Sequence, residues 1–172
     1  WQKYADQIIK IIFRSGITSI PTGYFAGCTK LSDVLIPATV VSIEDGTFTE
    51  KKIPHIYYEG DKEDFFAMLS EQDKAEVGSD ESVGSFTQKE VVDENGNVQI
   101  IYTTEDGQTW IVGVDENNVV RRETLVDEDR SLTFTYDKDG NLEQVFSFED
   151  GFFFRKVIDP KSGYWAVQGV LQ

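Results

Sequence analysis

The sequence predicts a mainly β protein in two parts. A short parallel repeat solenoid with a capping helix comes first, and an antiparallel meander of about eight strands follows, closing as a barrel or a curled sheet. Three observations carry this. Apolar residues recur with a period of 23 between Ile8 and Tyr58. Turn dipeptides recur every 11 residues from Asn95-Gly96 to Asp150-Gly151, and a seventh, Ser162-Gly163, comes one residue late. Between the two lies Asp73 to Ser85, a polar, acidic stretch with Gly and Ser and no periodicity, which reads as a boundary. The expected organisation is a repeat unit with its helical cap over 1–72, a linker over 73–85 and an acidic meander over 86–172.

Trp1 to Gln7 is short and amphipathic. It reads either as a helical turn shielding the first strand, as terminal repeats need a polar cap, or as the remnant of an earlier repeat. The opening at Trp1 without Met reads as a processed or truncated piece. The repeat itself runs Ile8, Ile11, Phe13, Ile17, Ile20, Gly23, Phe25, then Leu31, Val34, Ile36, Val40, Ile43, Gly46, Phe48, and a third copy begins one residue early with Ile53, Ile56 and Tyr58. Each x-x-L-x-L step is a short strand whose alternate side chains point to opposite faces. Ile11 and Phe13, Val34 and Ile36, and Ile56 and Tyr58 are expected inward, a face that one repeat cannot bury alone but stacked neighbours can. Pro21, Pro37 and Pro54 mark turns, where a missing N–H does little harm. The period lies in the range of leucine-rich repeats.

The segment Ile9 to Phe48 resembles the BspA-like (Treponema-type) leucine-rich repeat, whose units look like L-x-x-I-x-I-P-x-x-V-x-x-I-G-x-x-A-F-x-G-C. Leu31, Val34, Ile36, Pro37, Val40, Ile43 and Phe48 fall on that pattern, as do Phe25, Gly27 and Cys28. Pro21 and Glu44 stand where the pattern has Gly after the Ile, Tyr24 and Thr47 where it has a small residue, and the second unit lacks the Gly-Cys pair. Tyr58, Gly60 and Phe65 resemble the Y-x-G-x-x-x-x-F/W segment that ends many such arrays. The resemblance covers residues 8–60. It implies a secreted or bacterial cell-surface protein with an adhesion-type role.

After Tyr58, Phe65, Phe66 and Leu69 share one helical face. Asp61 is a plausible N-cap with Asp64 as a weaker capping-box partner. These residues predict one capping helix over Lys62 to Gln72. From Phe86, turn signals at Asn95-Gly96, Asp106-Gly107, Asn117-Asn118, Glu128-Asp129, Asp139-Gly140, Asp150-Gly151 and Ser162-Gly163 separate alternating runs, as tight hairpins require. The expected dry face holds Trp110, Val112, Val114, Leu132, Phe134, Tyr136, Phe146, Phe148, Phe152, Phe154, Trp165 and Val167. The expected wet face holds Thr109, Thr133, Thr135, Glu143, Ser147 and Arg155. Tyr136 to Leu142 looks like YD-type repeats over seven residues only.

The formal net charge is −15. Residues 1–60 balance their charges, and the acid excess falls entirely in 61–172. This argues against nucleic acid and against an anionic membrane surface. No apolar run approaches the length of a membrane span, so no membrane insertion is expected. The one cysteine, Cys28, allows no internal disulfide and fits the small buried slot of the repeat.

By the repeat period, Ile12, Leu35 and Tyr57 stack in one outward row of the ladder, and Lys10, Asp33 and His55 in the next. An apolar outward row is a candidate contact surface, unless the second domain or neighbouring repeats cover it. His55, the single histidine, has no second His, Cys pair or Glu-x-x-His spacing beside it, so a metal or triad role is not expected. Asp137, Asp139 and Asn141, like Asp93, Asn95 and Asn97, give calcium-like triplets, but Leu142 stands where an EF-hand loop needs Gly. Hairpin chemistry explains both. No phosphate loop, nucleophile elbow, cofactor motif or metal motif is present. The expected function is non-catalytic binding of a protein or glycan at a bacterial cell surface. One alternative is a structural spacer carrying a ligand-binding barrel. The other is a carboxylate hydrolase of surface polymers, which needs two carboxylates facing one cleft.

Overall fold

The computed structural model describes residues 2–49, 52–127, 130–149, 152–158 and 165–171. The chain is mainly β and divides into two compact units, Trp1–Phe86 and Thr87–Gln172.

The first unit is built on a parallel ladder. Strands β1 (Lys10–Ile12), β3 (Asp33–Ile36) and β5 (His55–Tyr58) lie side by side. Lys10 pairs with Asp33 and Asp33 with His55, so the register follows the period of the sequence, including the early start of the third copy. The shorter strands β2 (Ser19–Ile20) and β4 (Ser42–Ile43) form a second parallel pair, Ile20 against Ile43. Backbone bonds tie successive copies, such as Phe13 N–H to Leu35 O at 3.0 Å and His55 N–H to Ser32 O at 2.9 Å. Side chains add to them: Thr39 Oγ1 donates to Ile17 O at 2.9 Å, and Glu44 Oε2 accepts from Thr22 N–H at 3.0 Å. Glu44, the departure from Gly in the repeat pattern, is therefore a link between copies.

The core lies on the face formed by Phe13, Val34, Ile36, Ile56 and Tyr58, joined by Ile20, Ile43, Cys28 and Leu31. Phenylalanines stack through it, Phe25 on Phe48 at 5.4 Å and Phe48 on Phe65 at 6.3 Å. Phe65 comes from the helix that follows, and it also packs on Tyr58 at 5.4 Å. It fills the place a third repeat's Phe would take. The 3₁₀ turn Gln2–Gln7 puts Ala5, 6% exposed, one repeat step before the buried Cys28.

The expected single helix is two. α1 (Lys62–Ala67) starts at Asp61, whose carboxylate accepts from Glu63 N–H at 2.9 Å. α2 (Glu71–Val77) starts at Ser70, whose hydroxyl accepts from Asp73 N–H at 3.1 Å. The second cap breaks the helix, because Ser at an N-cap favours extended backbone. Residues expected as a linker thus belong to α2, to the 3₁₀ turn Asp80–Ser82 and to β6 (Val83–Val92). The reason is Asp73, which is 0% exposed. Its carboxylate accepts from Gly46 N–H and Phe48 N–H, both at 2.8 Å, and from Ser70 Oγ at 2.9 Å. An acidic residue counted as solvated is the acceptor that fastens α2 to the second repeat.

β6 opens as a further parallel strand of the first unit, Ile56 opposite Val83 and Tyr57 opposite Gly84. Its later residues lead into the second unit. There the strands follow in chain order: β7 (Val98–Thr104), β8 (Thr109–Val114), β9 (Val120–Asp127), β10 (Arg130–Tyr136), β11 (Leu142–Glu149), β12 (Phe152–Ile158) and β13 (Trp165–Leu171). Each of β8 to β13 pairs antiparallel with the strand before it. The order is open, with β13 last, and no pairing among the described residues closes it into a barrel.

The described hairpins are one residue longer than a two-residue loop. Asp93 N–H bonds Asn97 O at 3.0 Å and Gly96 N–H bonds Asp93 O at 3.0 Å. One residue per turn has positive φ: Gly96, Gly107, Gly140 and Asn118, the last at 64°. This is the three-residue loop with one left-handed position, which explains why Asn replaces Gly at 118. The turns expected at Glu128-Asp129, Asp150-Gly151 and Ser162-Gly163 lie outside the described residues.

Candidate functional site

The ladder assembles both predicted rows. Cα register aligns Lys10, Asp33 and His55, and beside them Ile12, Leu35 and Tyr57. Their accessibility differs. His55 is exposed, and Lys10, Asp33 and Ile12 are half-buried. Leu35 is 0% exposed and Tyr57 4%, so the expected exposed apolar row is corrected. For Tyr57 the extra strand contributes. With β6 beside it, Tyr57 is no longer on an edge; Gly84 sits opposite it, and Phe86, two positions on and 3% exposed, shares that side. Nothing in the composition of Val83 to Ser85 announces a strand beside β5.

Of the six residues, Ile12, Lys10, Asp33 and His55 keep some exposure. The His55 ring stacks on Tyr57 with centroids 6.4 Å apart. Ser32 Oγ donates to the Asp33 carboxylate and to Ile9 O, the latter at 2.9 Å. Among the described residues no group of His, Cys, Asp and Glu is placed to hold a metal ion.

The second unit offers a sheet with two unlike faces, fixed by register. On one face Tyr102, Trp110, Leu125 and Leu132 lie in a row, with Val112, Glu123 and Phe134 beside them. Tyr102, Trp110 and Val112 are buried. Glu123 is held there by the Tyr136 hydroxyl at 2.6 Å. Burial first, and then the Glu123 carboxylate, push the Tyr136 phenol far above its ordinary value.

The opposite face carries three rows. The middle one runs Ile101, Ile111, Thr124, Thr133, Phe146; one flank runs Thr103, Thr109, Val126, Ser131, Phe148; the other runs Gln99, Gly113, Arg122, Thr135, Gln144. Val126 is 38% exposed and Phe148 37%. Thr124 and Thr133 share a hydroxyl bond of 3.0 Å. Arg122 is the one charged residue in these rows as far as β11, and Arg155 continues the middle row opposite Phe146. This overturns the expected face of β11. Phe146 pairs with Thr133 and Phe148 with Ser131, whereas Ser147 pairs with Leu132. The register shift between Thr135 and Tyr136 is the reason, because a one-residue slip exchanges every side chain between faces. Glu143, at the shift itself, is exposed. Phe152, Phe154, Trp165, Val167 and Arg155 have described backbone only, with Phe154 opposite Ser147 and Arg155 opposite Phe146.

The acidic triplets prove to be turn chemistry. Asp137 Oδ1 accepts from Asp139 N–H and Asn141 N–H, both at 2.9 Å, and Asp93 and Asp115 repeat the pattern. The Asn97 and Asn141 amides hold the Asp93 and Asp137 carboxyls below their ordinary 3.8, and the Val119 N–H does so for Asp115, with help from Arg121. Arg121 links neighbouring turns. Its Nε donates to Asp115 Oδ2 at 2.9 Å and its Nη1 to Asp137 O. Each of these carboxylates thus caps its own turn.

Two comparisons with known proteins found nothing: no curated protein and no solved structure matches this chain. A third did: residues 3–67 match the family model described as the BspA type leucine rich repeat region (6 copies). The match takes in the 3₁₀ turn and α1 as well as the ladder, and no described helix is long and apolar enough to cross a membrane. With period, parallel register and terminal aromatic helix in agreement, residues 3–67 are a BspA-type leucine-rich repeat region.

Proposed function

We propose that this chain is a non-catalytic binding module of a bacterial secreted or cell-surface protein, which engages a protein or glycan through the open face of its meander. In this reading the ladder of residues 1–86 is a short solenoid that acts as a rigid support. The observation that carries the proposal is the accessible face bearing Val126 and Phe148, 38% and 37% exposed, in the unit that follows the repeats. The family of the repeats supports an adhesion-type setting. The burial of Leu35 and Tyr57 moves the contact surface away from the ladder, and with it the role first expected for Ile12, Lys10, Asp33 and His55.

The test is a paired substitution. Phe148→Ser and, separately, His55→Ser are compared with the parent for binding to immobilised matrix proteins and polysaccharides, with melting measured alongside. Binding that falls in Phe148→Ser and holds in His55→Ser is expected. The reverse pattern would return the site to the ladder and refute the proposal.

A further inference from the structure

We infer that Asn95-Gly96, in the turn between β6 and β7, is the site at which this chain modifies its own backbone by loss of ammonia, and that the Asp93 carboxylate guards it. The chemistry needs only water. The Gly96 backbone nitrogen, once hydroxide has taken its proton, attacks the side-chain carbonyl carbon of Asn95. A C–N bond forms, the bond from that carbon to the side-chain nitrogen breaks, and ammonia leaves with a proton from water. The product is a cyclic imide spanning the two residues. Water then opens the ring at either carbonyl, leaving aspartate or an isoaspartyl linkage at position 95.

Residue type selects the place. The chain has five asparagines, and Asn95 alone precedes glycine. Asn97, Asn117, Asn118 and Asn141 precede Val98, Asn118, Val119 and Leu142, whose side chains crowd the attacking nitrogen, whereas Gly has no Cβ. A Cβ at Gly96 would meet nothing within 4 Å, and both Asn95 and Gly96 are exposed to water. Asp45, Asp106, Asp139 and Asp150 also precede glycine, but a carboxylate is a poor target for a nucleophile.

The fold sets the rate. Asp93 Oδ1 accepts from Asn95 N–H and Asn97 N–H, both at 2.9 Å, and Oδ2 accepts from Asn97 Nδ2 at 2.9 Å. Between those two residues, Gly96 N–H donates to Asp93 O at 3.0 Å. The nucleophile is thus engaged as a donor, and its neighbours on both sides are fixed by one carboxylate, as local side-chain bonds to the backbone do in turns. It reaches the Asn95 side chain only by breaking the turn. The negative charge of Asp93 also opposes loss of the Gly96 proton. The reaction is consequential once it occurs. An isoaspartyl linkage adds a carbon to the main chain inside a loop whose ends, Asp93 N–H and Asn97 O, are bonded at 3.0 Å.

The experiment holds the intact chain at mildly alkaline pH and follows each asparagine by chromatography and mass spectrometry of its peptides. These read the exchange of amide for acid and separate aspartate from isoaspartate. Asn95 is expected to react before any other asparagine, and at least tenfold more slowly in the native chain than in guanidinium chloride. Asp93→Ala is expected to raise the native rate at Asn95 at least threefold, and Asp93→Asn, which keeps one acceptor oxygen, to raise it less. Asp115→Ala removes the matching bonds to Asn117 N–H and Val119 N–H in another turn, and should leave the Asn95 rate unchanged. First reaction at another asparagine overturns the site. Equal native and denatured rates, or no change in Asp93→Ala, overturn the guard. So does an equal rise in Asp93→Ala and Asp115→Ala, which would mean that the unit has loosened as a whole.

Discussion

Replacing Asp73 by Ala tests how the repeat unit is closed. The wild-type carboxylate is fully buried and accepts two backbone N–H groups at 2.8 Å, from Gly46 and Phe48. Hydrogen bonds to a charged group contribute about 1.5–3 kcal/mol each, and donors left buried without a partner add their desolvation cost. Loss of both therefore destabilises the first unit by about 3–6 kcal/mol. For a unit of this size each kcal/mol moves the melting temperature by about 4–8 °C, so a fall of at least about 12 °C is expected by calorimetry. Asp73→Asn keeps one acceptor oxygen and should fall between. The control is Glu71→Ala on the same helix, whose carboxylate is 92% exposed and pairs with Lys74 at 2.8 Å; such pairs contribute only about 0.3–0.5 kcal/mol. If Asp73→Ala melts within error of Glu71→Ala, the latch has no energetic role and the account of the boundary fails.

Three further outcomes follow from the packing and the turns. Phe65→Ala removes the last ring of the stack and should cost about 3–5 kcal/mol, seen as a lower denaturant midpoint for the first unit; a cost under about 1 kcal/mol would show that α1 is not part of the core. Gly60→Ala brings a Cβ to 2.7 Å from Tyr58 Cε1, so an overpacking cost of about 1–3 kcal/mol is expected, with a change in tyrosine near-ultraviolet dichroism. The depressed carboxyls of Asp93, Asp115 and Asp137 contribute stability that is complete above the ordinary 3.8 and is lost as pH falls through their lowered values. Melting of the second unit should thus decline below pH 3.8, and a combined Asp93→Asn, Asp115→Asn, Asp137→Asn variant should flatten that decline; an unchanged profile would count against the turn bonds.

The sequence carried the ladder well because its evidence was periodic. A step of 23 sets Lys10 opposite Asp33, and the early third copy sets Asp33 opposite His55; no tertiary information was needed. It failed where one residue's role depended on a distant partner. Asp73 reads as solvated acid, yet Ser70-Glu71-Gln72-Asp73 is itself a helix-start signal, and this was the clue available. Tyr57 reads as outward, which it is. Whether outward means exposed depended on β6, and Gly84 and Ser85 look like a linker from composition alone.

The two faces of the meander show the same limit in a sharper form. Alternation within β11 was legible, since Phe146 and Phe148 plainly share a side. Which side they share was not, because it rests on a register shift at Thr135/Tyr136 that no residue type announces. Assigning those rings to the dry face made the sheet look amphipathic in the ordinary way, apolar within and polar without. The observed register instead puts Phe148 opposite Ser131, on the side of Thr124 and Thr133. The side on which Phe148 lies, 37% exposed, is therefore set by the pairing of β11 with β10 and not by residue type.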